Sequence, residues 1–356
     1  SDQRVTGLLA SQAQSVRRFA RAQTFNFQGR MEALRAGART AGVQAGGASG
    51  FARGGAPAVT TSNEFGSLRP AGLPGLGAYI QIASLADNFV GLANTGSLNL
   101  GSLSAMAGAA IGGAAQGGTG LWMSGNANFG SRDQTGNNSA SRFSTDGISV
   151  GIDHRFSDKF AMGLGLGYAR GRTTIGGDGT KNLSRGSSLA LYGSYQPTPS
   201  TFVDAVLGYG VSRHDNERYV PSVNDFARAR REGEQIFGST AAGYEHRSND
   251  VLVSPYGRID FSFDRLKAAT ESGAGTEALS YMEQKLRSLQ FSLGLRAQSM
   301  HATRYGVIMP RLRVEARHDF RGDGQARILY ADQPAGPQYT LNPAVEGRSS
   351  LMLGIG

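Results

Sequence analysis

The histidines are the first residues to consider for chemistry, because imidazole is a common general base and metal ligand in proteins. The chain has five of them, and they share no ligand spacing: His154, His214, His246, His301 and His318. No His-Glu-x-x-His motif occurs among them. The chain also has no cysteine, which excludes thiolate metal sites and disulfides. The sequence therefore predicts no enzyme and no bound metal.

Two glycine-rich motifs superficially resemble ligand-binding loops. The glycines of Gly163-x-Gly165-x-Gly167 are spaced as in a phosphate loop, but they lie within a predicted strand that no helix follows. The segment Gly176-Gly177-Asp178-Gly179 echoes a calcium-binding nonapeptide, but it occurs once, whereas such repeats bind calcium in stacks. We therefore predict no cofactor.

Charged residues that alternate with apolar residues are a stronger signal. Between Arg311 and Arg317, charges occupy every second position, and Leu312 and Val314 stand between them. Arg258 and Asp260 show the same alternation. Successive residues of a strand point to opposite faces, so these strands have one charged and one apolar face. A dry core would not hold so many charges, whereas a wet lumen or a polar plug would.

The alternation extends from Gly120 to the end of the chain and predicts a series of strands. Its clearest part, Asp146 to Gly171, is a hairpin with a tight turn at Ser157-Asp158. One face of this hairpin carries large apolar residues such as Ile148, Leu164 and Leu166, and the other face of its second strand carries only glycine and alanine. We predict nine strands up to Arg317, a tenth at Gln325 to Ala331 and an eleventh from Arg348 onward.

The predicted connections alternate in length. Those after the even-numbered strands are tight, and those after the odd-numbered strands are long and polar: Ser131 to Arg142, Gly171 to Arg185, Asp215 to Glu234 and Asp264 to Lys285. Outer-membrane barrels have short periplasmic turns and longer external loops. A soluble sandwich would show the same residue alternation but has no reason to keep this parity. The connections therefore favour a membrane barrel.

Composition excludes two other classes of protein. The 356 residues carry a formal charge of +9, but the arginines are scattered in no pattern typical of nucleic-acid recognition, so we predict no nucleic-acid partner. Basic loops that face an anionic membrane surface explain the charge more simply. No run of about 18 apolar residues occurs, which excludes a helical membrane protein.

The first part of the chain differs from the strand region. Apolar residues recur at helical spacing from Gly7 to Arg35, and several arginines make this predicted helix cationic. From Ala36 to Gly118 the composition changes to Gly, Ala and Ser with scattered Pro, which is typical of a flexible insertion.

Four segments resemble the translocator domain of autotransporters, the type Va secretion system. They are Gly147-x-x-x-Gly151-x-Asp153, Gly163-x-x-x-Gly167-Tyr168, Pro310 to Phe320, and Arg30-Met31-x-x-Leu34-Arg35. The last is similar to the segment that threads the pore in that family. The resemblance covers the helix and everything after Gly120, and the order of the segments carries it.

The resemblance implies an all-β transmembrane fold, an antiparallel up-and-down outer-membrane barrel of about twelve strands with an N-terminal helix in the lumen. It implies three parts: a pore helix at residues 1–35, an insertion at 36–118 and the barrel at 119–356. Because the chain halts part-way through a strand at Gly356, we expect the last strand to be missing.

The implied function is to anchor in the bacterial outer membrane and to export an N-terminal passenger, absent from this sequence, to the cell surface. The chief alternative is a diffusion porin or general channel, and a soluble adhesin is a third. The implied partners are outer-membrane lipids and lipopolysaccharide, the barrel-assembly machinery, periplasmic chaperones and the chain's own passenger. We expect a monomer.

Two sets of residues are the candidates for a functional site. The predicted lumen-facing residues are Asp153, Asp204, Glu245, Arg258, Asp260, Arg296, Arg311, Arg313, Glu315 and Arg317. The predicted pore-helix residues are Arg17, Arg18, Arg21, Asn26, Arg30, Met31 and Arg35. We predict that helix cations meet lumen acids.

Some members of the family cut themselves inside the pore by cyclisation of an asparagine at an Asn-Asn bond. The corresponding pair here is Phe25-Asn26, so the cyclising residue is replaced by phenylalanine. Asn26 would have to attack its own carbonyl before Phe27, and a polar residue on a helix face is the preferred interpretation.

Overall fold

The computed structural model describes residues 2–43, 79–81, 118–132, 134, 139–248, 250–299, 301–303, 306–308, 310–321, 324–342 and 349–355. Most of the predicted insertion, residues 36–118, lies outside this part of the chain. Within it, the described residues are helical at 36–43 and form a short strand at Tyr79–Gln81.

Helix α1 spans Gln3–Val43 and thus extends beyond both ends of the predicted helix. Its sequence is rich in Ala, Arg and Gln and contains no proline, which favours a helix. Leu8 and Phe27 are fully buried, but so are the polar Gln12 and Gln23. The surroundings of α1 therefore solvate polar groups as well as apolar ones. Among the described residues, no helix combines the length and the apolar character needed to cross a bilayer.

The described residues form eighteen strands and a 3-10 turn at Gly275–Glu277. The strands are β1 (Tyr79–Gln81), β2 (Thr119–Arg132), β3 (Ser141–Ser157), β4 (Phe160–Ile175), β5 (Lys181–Thr198), β6 (Thr201–Val220), β7 (Asp225–Tyr244), β8 (His246–Ser248), β9 (Val251–Leu266), β10 (Ala269–Thr270), β11 (Leu279–Tyr281), β12 (Gln284–Ser299), β13 (His301–Thr303), β14 (Gly306–Ile308), β15 (Arg311–Arg321), β16 (Ala326–Tyr330), β17 (Tyr339–Leu341) and β18 (Ser349–Ile355).

The main sheet is antiparallel and follows the chain order. Its strands run β1-β2-β3-β4-β5-β6-β7-β9-β12-β15-β18, and β8 continues β7 alongside β9. Helix α1 packs against one face of this sheet, on β2 to β7 and β9. Each strand thus pairs with its neighbours along the chain, as in an up-and-down barrel around α1.

The two faces of the sheet differ in the way that the sequence predicts. On β6, Leu207 and Tyr209 point away from α1 and are 54% and 51% exposed, whereas Asp204 and Val206 point inward and are each 4% exposed. No second layer among the described residues covers the outer leucines. A sheet that presents such a surface faces lipid rather than a protein core.

Two of the four predicted long loops are mostly strand. β6 continues to Val220 and β7 begins at Asp225, so only a four-residue turn lies between them, and β4 and β5 extend in the same way around a turn of five. The outward residues change from Val211 to Arg213 and Asp215 while the hydrogen-bonded ladder continues. Beyond the lipid a strand needs no apolar face, which is why the polar sequence suggested loops.

A separate small sheet, β10-β11-β16-β17, is built from the connection between β9 and β12 and from the later connection between β15 and β18, which was not among the four predicted loops. The predicted tenth barrel strand is β16 of this small sheet, so that assignment was wrong. Leu279 and Ile328 of the small sheet pack with Leu8 and Leu9, near the start of α1. The short strands gain stability from the helix that they cover.

Candidate functional site

The inner wall of the barrel is shaped to admit the helix side chains. A Cβ atom at Gly186 would lie 2.8 Å from the Phe19 ring, and one at Gly165 would overlap the Phe27 ring. Glycine at these wall positions therefore makes room for the aromatic residues of α1. The Phe27 ring also packs against Trp122, with ring centroids 5.4 Å apart.

Arg30 of α1 makes a bidentate ion pair with Asp153 of β3. Its Nε and Nη2 atoms lie 2.7 and 2.8 Å from the two carboxylate oxygens. The Tyr192 hydroxyl donates a further hydrogen bond of 2.9 Å to the same carboxylate, and Trp122 donates to Tyr192. The side chains of Arg30 and Asp153 are 11% and 2% exposed, so water screens the pair little.

A second group of charges lies further toward the C-terminus of α1, around Arg35. Arg35 donates to Asp204, and its Nε lies 3.1 Å from Glu245. Its guanidinium also stacks 3.9 Å from the centroid of the Phe202 ring, a cation–π contact. Both carboxylates come from strand ends next to tight turns, since the turn between β5 and β6 precedes Asp204 and Glu245 follows β7.

Glu32 reverses the predicted polarity, because it is an acid on the helix that meets arginines of the wall. Its carboxylate lies 2.6 Å from Arg296 and 2.7 Å from Arg313. Arg296 also donates to Glu245 over 3.0 Å, which joins Glu32 and Arg35 into one network. Glu32 was not among the predicted pore-helix residues. A role for Glu32 could have been predicted from its position three residues before Arg35 and from the excess of arginine on the predicted inner face.

A third group belongs mainly to the wall. Arg258 lies 2.8 Å from Asp260 and 2.7 Å from Glu315, and Arg317 lies 2.6 Å from Glu315. Asp260 and Glu315 thus pair with wall arginines rather than with helix cations. The helix contributes Gln28, whose amide oxygen accepts a 3.2 Å hydrogen bond from Arg258.

The remaining candidates lie as follows. On the helix, the Arg18 guanidinium stacks 4.2 Å from the centroid of the Phe143 ring, and Arg21 lies 3.8 Å from Asp319. Met31 is buried in the cluster with Phe27, Trp122 and Tyr192. Arg17 is also buried. On the wall, Arg311 has the same parity as Arg313 but is exposed.

Asn26 is held in a polar cluster and is 1% exposed. Its amide nitrogen donates a 2.9 Å hydrogen bond to Ser149, and its amide oxygen accepts from Asn126 over 3.3 Å. The Ser149 hydroxyl in turn donates to Gln23 over 2.9 Å. The asparagine side chain is thus engaged by the wall.

Ser149 is also the centre of a Gly-x-Ser-x-Gly segment, Gly147 to Gly151. In hydrolases this motif needs a sharp strand-to-helix turn that exposes the serine. Here Ser149 lies in the middle of β3 and is 1% exposed beneath α1. The segment supplies small residues to the wall and no nucleophile. Among the described residues, no three His, Cys, Asp or Glu side chains lie close enough together to hold a metal ion.

At the other end of the barrel, Glu271 fastens the small sheet to β6. Arg218 forms two hydrogen bonds of 3.0 and 2.6 Å to its carboxylate, and the Tyr281 hydroxyl donates a third. Burial, together with the negative charge of Glu271, raises the pKa of Tyr281 well above its usual range. The phenol therefore remains protonated and continues to donate to Glu271.

The sequentially paired strands, the uncovered outer leucines and the ion-paired inner helix define a class, the outer-membrane β-barrel. A family model described as the autotransporter beta-domain matches residues 121–356. The chain belongs to this family. The fold agrees with the translocator domain of the autotransporter NalP from Neisseria meningitidis, with a TM-score of 0.51 at 11% identity over 75% of this chain and 97% of that one. The β-domain of the Bordetella autotransporter BrkA aligns with a TM-score of 0.46 at 17% identity over 67% and 96% of the two chains.

The curated relatives are much longer proteins. Outer membrane protein A of Rickettsia conorii is 23% identical over 250 residues, which are 67% of this chain and 12% of that protein. An extracellular serine protease of Serratia marcescens is 28% identical over 189 residues, 52% of this chain and 18% of that protein. The chain therefore spans less than a fifth of the length of either relative. The predictions of an autotransporter barrel and of a place in the bacterial outer membrane are confirmed. The chain is a translocator domain, and nothing in the comparisons favours a porin.

Proposed function

We propose that α1 is both the link between the barrel and an exported passenger and the plug that closes the lumen after export. What supports this is the pairing of charges between α1 and the wall at successive levels. Arg30 meets Asp153, and further along Glu32 and Arg35 meet the network around Glu245. Such ion pairs hold a polar helix in a narrow lumen where no dry apolar core surrounds it.

The direction of the helix suits this role. At its start, Arg4 pairs with Asp178 in the turn between β4 and β5, whereas Arg35 lies beside the tight turns at the opposite end. The longer connections of outer-membrane barrels are external and the tight turns are periplasmic. The N-terminus of α1 therefore faces the cell exterior, where a passenger joined to it would be displayed.

The lipid-facing surface supports the remaining partners. Leu164, Leu207 and Leu293 are each about half exposed, with fractions of 51%, 54% and 58%. Such a chain would aggregate in the aqueous periplasm, so we infer that chaperones carry it and that the barrel-assembly machinery inserts it. Its own helix fills the lumen, so one copy is sufficient and we infer a monomer. We assign the chain no catalytic role, because the lumen carboxylates of Glu32, Asp153 and Glu315 are each held in ion pairs with arginines.

Single-cysteine labelling tests this orientation cleanly, because the sequence contains no cysteine. Gln3→Cys and Thr276→Cys place a thiol at the start of α1 and in the external connection, and Lys159→Cys places one in a tight turn. All three positions are exposed. A membrane-impermeant maleimide should label the first two in intact cells and the third only after permeabilisation. Labelling of Lys159→Cys in intact cells would overturn the proposal.

A further inference from the structure

Three arginines on the outer face of the barrel lie side by side. Arg170 of β4 is the register partner of Arg185 of β5, and Arg185 is the partner of Arg213 of β6. Register partners of antiparallel strands have Cβ atoms about 5 Å apart, and like charges at that distance are destabilising. This arginine row therefore concentrates positive charge that an anion would stabilise.

Protein acids neutralise only part of the row. Arg170 lies 3.4 Å from Asp146, but among the described residues no carboxylate lies within ion-pair distance of Arg185 or Arg213. Two other outward cations in this region are paired with acids, Lys181 with Glu217 at 2.9 Å and Arg230 with Asp215 at 2.8 Å. Glu232, which is the register partner of Arg213, lies 3.4 Å from Lys267 instead. Arg185 and Arg213 thus remain available to a ligand.

The row lies where the lipid-facing band ends. The outward residues one step toward the tight turns are Tyr168, Ser187 and Val211, and Leu166, Leu189 and Tyr209 follow them. Arg185, Arg213 and Lys267 line a shallow cavity of about 320 Å³. Its lining also includes Glu232 and Glu234, and both of these acids pair with Lys267. Because this end of the barrel is external, the cavity lies at the level of the outer-leaflet headgroups.

We propose that the arginine row binds the phosphate groups of a lipopolysaccharide molecule of the outer leaflet. Guanidinium groups bind phosphate oxygens bidentately, and two or three adjacent arginines match a headgroup that carries more than one phosphate. The acyl chains of the same molecule would lie along the exposed leucines below, such as Leu166 and Leu189, which are 57% and 54% exposed. This site does not depend on the role of α1, but its level in the outer leaflet rests on the orientation given in the proposed function.

Binding of fluorescent bisphosphorylated lipid A to the folded chain in detergent micelles tests the proposal. The double variant Arg185→Gln with Arg213→Gln should weaken binding about tenfold or more. This is expected because each lost hydrogen bond between a guanidinium and a phosphate lowers the affinity for lipid A. The matched control, Arg230→Gln with Arg265→Gln, removes the same charge from paired outward arginines and should change affinity less than about twofold.

Two further binding measurements identify the ligand. Lipid A without phosphates should bind the parent chain and the arginine-row variant equally weakly, and inorganic phosphate should not displace bisphosphorylated lipid A. Equal weakening in the row and control variants would overturn the proposal, because it would reduce the effect to net charge. Displacement by inorganic phosphate would also overturn it, since it would indicate a free-phosphate site. Retained heat-modifiable gel mobility shows that each variant is folded.

Discussion

At the scale of single residues, the lumen is stabilised by charges that are both buried and paired. Removing one member of a buried ion pair leaves the other without compensation, and this costs more than the intact pair contributes. The bidentate contact between Arg30 and Asp153 is therefore a sensitive place to test whether α1 is held by its charges.

Asp153→Asn is expected to lower the free energy of unfolding by about 3 kcal/mol, because Arg30 stays buried beside a neutral amide. The double variant Arg30→Gln with Asp153→Asn should cost less than the sum of the two single variants, as expected for directly coupled residues. Urea unfolding of the folded chain in micelles measures all three.

Lys181→Gln provides the control, because Lys181 pairs with Glu217 on the outer surface with side chains 37% and 32% exposed. It should change the free energy of unfolding by less than about 1 kcal/mol. If the costs of the Arg30 and Asp153 variants simply add, the pair does not hold the helix.

The partners of these residues were only partly predictable from the sequence. Alternation put Asp153 and Glu245 on the inner face, and helical spacing indicated that Arg30 and Arg35 belong to one helix. Neither pattern sets the axial position of a helix in a lumen, so which cation meets which acid could not be derived. Glu32 was missed because the expected scheme placed acids on the wall alone.

At the scale of elements, the barrel strands were predictable because each carries its own period-two pattern over many residues, as in β4 and β9. The small sheet was not, since β10 and β11 have only two and three residues and depend on contacts with α1 and β6. Strands this short have no periodicity to detect, and their stability is tertiary.

The hydrogen bonds of Glu271 to Arg218 and Tyr281 predict how the small sheet detaches from β6. Glu271→Gln should weaken the attachment to Arg218, so the connection between β9 and β12 should become sensitive to protease while the barrel stays resistant. Limited proteolysis followed by mass spectrometry locates the cut. Glu283→Gln, which removes an exposed acid from the same connection, is the control and should leave the cleavage rate unchanged. Equal cleavage in both variants would show that Glu271 does not hold the small sheet on β6.

At the scale of the whole molecule, the sheet separates two environments. Its outer face offers leucines and aromatic residues that no described residue covers, and its inner face offers glycine, serine and charges around a polar helix. Composition and alternation were sufficient to predict both surfaces, because a transmembrane barrel must repeat them on every strand. They could not show that the helix fills the lumen, which depends on how α1 fits against Gly165, Gly186 and the ion pairs.

Single-channel conductance in planar bilayers measures whether α1 closes the lumen. The parent chain should conduct weakly, and a variant without residues 2–35 should conduct markedly more, because the helix no longer occupies the lumen. A second variant, Arg30→Glu with Arg35→Glu, keeps the helix but places it against like charges and should open intermittently. Heat-modifiable mobility shows that each barrel is folded. Equal conductance in the three chains would show that α1 does not close the lumen.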